Sequence, residues 1–444
     1  MGPSVIITLV LLILAVLAGV ERAWQLTLVL AALAVASSTR TATTWGLRLL
    51  WFVQKEPAAS DLLFAGAILR KLLSGLPAKK LWRLHPFSFL AAFLVISSVQ
   101  VVQAVDPTRA LLFNLTSIYV LAIITYMFWF KNIFFGESWK RSLELSIIVT
   151  AALMIALWLT KQAGIVEPFR FFFDGTRPRA FFKDPNVAAP FIIFWALRVL
   201  SQFLLGKDWQ RRHWLLFGIL VLGATLSFSR GALINLFVGV AFLVLVALRR
   251  KRLIHISLLA MLLTAVSIAA LLISLNVGQQ RFLKVNDYDL GGRMAAWKSG
   301  LITLKRHPWG VGPGQFEFYS IKVQTEELGN PFITPSAHNM YLRVLVENGL
   351  SGFVFLVVAF LLTLAGLLRS LYLNKNRALE VELAWCLAAL LGILAEGFFI
   401  DVLHWRHLGI ALGLSYYFSE KAAEANAPAS VQPTYHTSPS SKPS

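Results

Sequence analysis

Apolar stretches about as long as the hydrocarbon core of a bilayer is thick recur along this sequence, and a water-soluble fold does not carry so many of them. They fall at 4–20, 24–38, 86–104, 111–130, 143–160, 187–205, 213–228, 231–249, 254–276, 350–373, 378–398 and 403–419. In hydrocarbon every backbone N–H and C=O has to be bonded within the protein, which a helix does alone and strands do only as a closed barrel. The expected fold class is therefore all-α and polytopic, with about twelve transmembrane helices. The run from Val5 to Val20 has no basic leader and no clear small-residue cleavage site, so it reads as a retained first span. Residues 39–84 mix Trp45, Leu49, Leu50, Trp51 and Phe52 with Arg and Lys. That mixture suits an amphipathic helix lying at the headgroups, although the stretch is long enough to hold a further pair of spans.

Charge sets the orientation. Only 14% of the residues are charged, yet Lys and Arg number 41 against 22 Asp and Glu, a formal net charge of +19. One set of alternate connections carries most of the cations: Arg48, Arg70, Lys71, Lys79 and Lys80; then Lys131, Lys140 and Arg141; Lys207, Arg211 and Arg212; Arg249 to Arg252; and Arg369, Lys375 and Arg377. The positive-inside rule makes that side cytoplasmic, leaving the long loops 161–186 and 277–349 periplasmic and both termini cytoplasmic. Anionic membrane lipid or an anionic substrate would each suit such a balance, and no nucleic-acid partner is expected. The single cysteine, Cys386, rules out an intramolecular disulfide and a multi-cysteine metal site. Residues 1–419 thus read as one transmembrane domain, and 420–444, rich in Ala, Pro, Ser and Thr, as a disordered cytoplasmic tail.

Loop 277–349 carries its own folding signals. Gly292 to Leu304 has helical spacing, with Met294, Trp297, Leu301 and Leu304 on one face, and it stops before Pro308. Trp309-Gly310-Val311-Gly312-Pro313-Gly314 is a turn-rich piece whose glycines permit close approach of backbone to a ligand or to other chain segments. A further helix is expected after Ser336, a candidate N-cap.

Three polar clusters fall on the same, periplasmic side. Arg177, Arg179 and Lys183 precede the span at 187; Ser229-Arg230-Gly231-Ala232 forms a tight junction between two spans; Arg293 and His338 lie in the long loop. Snorkelling to headgroups explains Arg177, Arg179 and Lys183 as well as ligand binding does, and headgroup contact competes with binding for Arg293. Arg230 is different, because an arginine held between two apolar spans is costly unless an anion pairs with it. A lone histidine such as His338 is more often packed or solvated than catalytic, so its weight comes from its position beside the arginines. Planar guanidinium groups donate two parallel hydrogen bonds to adjacent phosphate oxygens and keep their charge, which suits a diphosphate. An imidazole can take a proton from an attacking sugar hydroxyl. No Asp-x-Asp pair lies in these loops, and no P-loop or dinucleotide fingerprint occurs, so neither a metal ion nor another cofactor is expected. Glu396, Asp401, His404, Arg406 and His407 are expected on the same face, either orienting the arginines and the acceptor or forming a plain polar turn.

Together, Ser229-Arg230-Gly231-Ala232, Gly-Gly-Arg293-x-x-x-Trp297, Pro308-x-Gly310-Val311-Gly312-x-Gly314-x-Phe316 and Ala337-His338-Asn339-x-Tyr341-Leu342-x-x-x-x-Glu347-x-Gly349 resemble the O-antigen ligase and polymerase superfamily. The resemblance covers roughly 170–350 closely and the remainder by span pattern. It implies a GT-C-like membrane glycosyltransferase with short helices in a large periplasmic loop. Such an enzyme moves a polysaccharide from undecaprenyl diphosphate to the lipid A-core oligosaccharide at the periplasmic face of the inner membrane, without a metal ion. Carried over by motif, His338 is the base and Arg230 and Arg293 clamp the diphosphate; Arg177 and Arg179 match only as an upstream basic loop, and Asn339, Tyr341 and Asp401 are supporting residues. Polymerases and protein O-oligosaccharyltransferases share the histidine-containing loop. Ligase is preferred because the chain has no large C-terminal periplasmic domain, whereas two arginine-bearing periplasmic loops keep the polymerase in contention. A transporter is disfavoured because the spans look nearly free of ionisable residues.

Overall fold

The computed structural model describes residues 85–129, 137–175, 177–180, 182, 184–206, 211–251, 257, 287–329 and 333–426. The expected spans at 4–20, 24–38 and (Ser257 apart) 254–276, the amphipathic stretch 39–84, Lys183 and the tail after Asn426 lie outside them.

The described residues are almost wholly helical. In chain order they form α1 (Pro86–Gln100), α2 (Pro107–Ser117), a π-helical turn (Ile118–Ile124), α3 (Thr125–Trp129), α4 (Glu137–Gln162), α5 (Pro185–Leu205), α6 (Arg211–Thr225) and α7 (Arg230–Arg249). Then follow α8 (Asp287–Arg306), α9 (Phe316–Glu326), α10 (Met340–Leu373), α11 (Arg377–Glu396) and α12 (Arg406–Asn426). Among the described residues, strand structure is confined to one antiparallel hairpin, β1 (Phe173–Asp174) with β2 (Arg177–Pro178), in which Asp174 faces Arg177. Among the described residues six helical stretches are long and apolar enough to cross a membrane, namely Pro86–Gln103, Pro107–Ile124, Pro185–Leu205, Arg230–Arg249, Met340–Leu373 and Arg377–Glu396; Ile147–Gln162 and Arg212–Thr225 are shorter. The chain is an all-α multi-pass membrane protein.

Several helices start where a polar residue precedes the first turn and bonds its free N–H groups. Asp106 accepts from Arg109 N at 2.9 Å, Asp184 from Asn186 N at 2.8 Å and Asn376 from Ala378 N at 3.0 Å. Proline at the first position of α1, α2 and α5 adds a preset φ where no N–H is needed. Helix ends extend past the apolar runs where polar residues continue the same helix: α4 begins at Glu137 rather than 143, and α12 reaches Asn426 rather than 419. The tail expected to begin at 420 therefore starts as helix.

α5 and α11 are the most enclosed spans, and α7 packs on both. Trp385 Nε1 donates to the Phe194 carbonyl at 2.7 Å, which joins α5 to α11. Near it Arg198 makes a two-point bond to Glu382, at 2.9 and 3.2 Å, with its guanidinium 4.7 Å from the centre of the Trp195 ring. The view of these spans as nearly free of ionisable groups is corrected here. The charges occur as a matched pair on facing helices, which sequence positions 184 residues apart do not reveal. α10 lies against α1 and α12, and α12 packs on α3 and the π-helical turn through Gly409 and Gly413.

Candidate functional site

α8 ends before Pro308, and the glycine-rich segment that follows closes onto the protein itself. Gly310, Gly312 and Gly314 have φ of 98°, 97° and 72°, a region that side chains disfavour. Val311 N donates to Val346 O at 3.1 Å and Gly312 N to Glu347 O at 2.9 Å. Those carbonyls are free because α10 is broken at Gly349, with φ 66° and ψ −175°. Gln100 at the end of α1 completes the joint, donating to Trp309 O at 2.6 Å and Asn348 O at 3.0 Å. The close approach expected of this loop is thus to the chain's own helix break. A Cβ on Gly310 would lie 2.6 Å from Glu347 O, and one on Gly349 2.4 Å from the Trp309 carbonyl carbon.

Below this joint is a cluster that sequence reasoning missed. Arg343, on the first turns of α10, is buried and donates to Glu347 Oε1 at 3.1 Å and to Asp401 Oδ2 at 2.7 Å. Its guanidinium lies 4.3 Å from the centre of the Phe113 ring and 4.0 Å from Glu317, which is itself paired with Arg109. Glu347 also accepts from Phe316 N at 3.1 Å. One guanidinium therefore ties together α10, the start of α9, the end of α2 and the turn before α12. Burial works to raise the Asp401 carboxyl, but the Arg343 charge, His404 and the Leu403 N–H outweigh it and hold Asp401 below the ordinary carboxylate value. The available signal was the i, i+4 spacing of Arg343 and Glu347 within the histidine motif.

The turn after α11 links the expected site residues. Arg293, half-buried on α8, donates from Nη1 to Phe399 O at 3.3 Å. Met340 N, two residues after His338, donates to Gly397 O at 2.8 Å, and Tyr341 Oη donates to Leu394 O at 2.7 Å, its ring against Phe398. Gly231, next to Arg230, faces Glu396, where an added Cβ would stand 3.1 Å from Oε1. Residues 394–399 thus touch the segments bearing Arg230, Arg293 and His338. Glu396 is fully buried; Oε2 accepts from Asn235 Nδ2 at 2.9 Å, and among the described residues Oε1 has no hydrogen-bond partner.

His338 has φ 45°, a left-handed backbone uncommon for a non-glycine residue and a sign of local constraint. Its segment is held by Trp297 Nε1, which donates to Ala337 O at 2.8 Å. Ser336 does not cap the following helix. Asn339 does, accepting from Leu342 N at 3.0 Å, while Ser336 Oγ accepts from His338 N at 3.5 Å. Arg177 is buried, donating from Nε to Ser227 O at 2.8 Å and from Nη2 to Asn186 at 2.9 Å. It pins the hairpin to the α6–α7 junction. Arg179 is half-buried in the same hairpin, with its N–H on Phe172 O at 2.8 Å. Asp401 serves Arg343, and His404 Nε2 shares a 2.8 Å hydrogen bond with Ser117 Oγ. His407 is buried, and Arg406 is exposed at the start of α12. Among the described residues no group of three or more His, Cys, Asp or Glu side chains is placed to hold a metal ion.

No curated protein matches the chain. A family model described as O-antigen ligase matches residues 215–357, a segment that contains Arg230, Arg293, His338 and Arg343 but not the hairpin arginines or the turn after α11. That match falls on the segment that carries the motifs quoted above, and over it the chain is similar to the O-antigen ligase family.

Proposed function

We propose that this protein is an O-antigen ligase, a glycosyltransferase that moves a polysaccharide from undecaprenyl diphosphate to the lipid A-core oligosaccharide at the periplasmic face of the inner membrane. The observation that carries this reading is the convergence of the Arg230, Arg293 and His338 segments on residues 394–399. His338 takes the proton of the acceptor hydroxyl as that oxygen attacks the anomeric carbon. The bond from that carbon to the diphosphate breaks, and Arg230 and Arg293 stabilise the charge on the departing undecaprenyl diphosphate. A single in-line displacement of this kind needs no metal ion and inverts the anomeric centre. Arg177 has a supporting part, holding the entry to α7 and hence Arg230; Arg179 lies in that hairpin, and Asn339 and Tyr341 fix the His338 segment.

The test is reconstitution of the purified chain with undecaprenyl-diphosphate glycan and two competing acceptors, lipid A-core and a second lipid-linked glycan. Transfer to lipid A-core with inverted linkage is expected, and His338→Ala should lower the rate by at least about a hundredfold while leaving the yield of folded protein unchanged. Extension of the lipid-linked glycan instead would make the protein a polymerase. A His338→Ala enzyme as active as the parent would remove the base. The involvement of Arg177 in structural hydrogen bonds weighs against the polymerase, since it leaves the second loop with fewer arginines for a second diphosphate.

A further inference from the structure

α10 and α11 each run from the candidate site to the opposite end of the bundle, where Leu373 is followed after three residues by Arg377. A cavity of about 500 Å³ opens there, lined by Leu205, Arg250, Asn374, Lys375, Arg377 and Glu380. Three cations and one carboxylate line it, an excess of two positive charges. Two of the cations are held in place. Arg250 donates from Nε to the buried Glu380 at 2.6 Å, and Arg377 from Nε to the Leu205 carbonyl at 3.0 Å, which among the described residues leaves the terminal nitrogens of both guanidinium groups for another acceptor. Asn374 is buried and bonds the Asn376 backbone in both directions, at 2.6 and 3.1 Å, which fixes the bend that presents the exposed Lys375. Cations that merely snorkel to headgroups are not fastened by their own Nε to carbonyl and carboxylate around a common cavity.

From these observations we infer that this cavity binds the phosphate of an anionic phospholipid headgroup. Two fixed guanidinium forks and an ammonium match a phosphodiester and its neighbouring oxygens, and a basic pocket between spanning helices on the face rich in Lys and Arg is where such lipids are recognised. The surroundings are also lipid-like: Leu245, Leu248, Leu368 and Leu373, on the last turns of α7 and α10, just before Arg250 and Lys375, are exposed and offer a surface for acyl chains. A free phosphate ion would satisfy the same donors but would gain nothing from that surface.

Native mass spectrometry of the full chain, delipidated and then titrated with phosphatidylglycerol or with phosphatidylcholine of the same acyl chains, tests the assignment. Phosphatidylglycerol should be retained in preference. Lys375→Glu should weaken that retention by about fivefold or more, Lys375→Arg should keep it, and Lys298→Gln, an exposed change at the site end, should leave it unaltered. Millimolar inorganic phosphate should not displace the lipid. Equal retention of the two lipids, or full retention by Lys375→Glu, overturns the proposal, and displacement by inorganic phosphate overturns the lipid as occupant. Transfer activity does not enter these readouts, so failure here leaves the proposed function standing.

Discussion

Arg343 shows how a single side chain can organise a site without being recognisable as part of it. A sequence scan notices an arginine at the junction of two apolar spans, such as Arg230, or one in a loop motif, such as Arg293. Arg343 is disguised among helix formers, and two of its acidic partners, Glu317 and Asp401, are far away in the chain. The histidine motif itself was legible, as was the loop glycine pattern. That the glycines serve a joint between α1 and α10 was not, because it depends on a helix break at Gly349 and on Gln100 from another span. The buried charge cluster also makes a prediction. Arg343→Ala would leave Glu347 and Asp401 buried without their cation, a change of about 3–5 kcal/mol. The purified variant should unfold at markedly lower temperature. Arg343→Lys keeps the charge but cannot make the forked contact to both carboxylates, so its loss should be intermediate. A variant Arg343→Ala as stable as the parent would show that the cluster holds nothing together.

Elements were the most legible level, because a run of apolar residues near bilayer length has few alternatives to a spanning helix. What sequence lacked was the ends, which are set by caps and by polar residues that continue a helix into water. α1 illustrates a cap that could not be guessed: His85 Nδ1 accepts from Phe87 N at 3.2 Å, and the ring is stacked on Trp129 and edge-on to Tyr416. Burial lowers its pKa from 6.5 to about 4. Only a neutral ring can accept the capping hydrogen bond, so between these values the folded chain binds fewer protons than the unfolded one. The contribution of His85 is therefore fully present above pH 6.5 and is lost as the pH falls toward about 4. Unfolding temperature measured across that window should drop for the parent protein. In His85→Asn, which keeps a capping oxygen and does not titrate, the drop should be shallower, and parallel curves for the two proteins would remove His85 as the cause.

At the scale of the whole molecule, the candidate site and the proposed lipid cavity stand at opposite ends of a packed helical centre. The site gathers around the turn after α11, the anionic-lipid cavity lies where α10 gives way to α11, and α5, α7 and α11 form the packed column between them. Inside that column the Arg198–Glu382 pair occupies low-dielectric space, with side-chain exposures of only 10% and 16%. Desolvating both ions offsets much of their attraction, so the pair fixes the alignment of α5 and α11 more than it adds net stability. Removing one partner is another matter, since the remaining ion is stranded. Arg198→Met or Glu382→Leu alone should destabilise by about 3–5 kcal/mol, whereas the double variant should recover most of the loss. The cycle is read from thermal unfolding of the three variants. Because both residues stand away from the 394–399 turn, the double variant should also keep its transfer rate, and a rate that falls despite recovered stability would mean that the alignment set by this pair reaches the site.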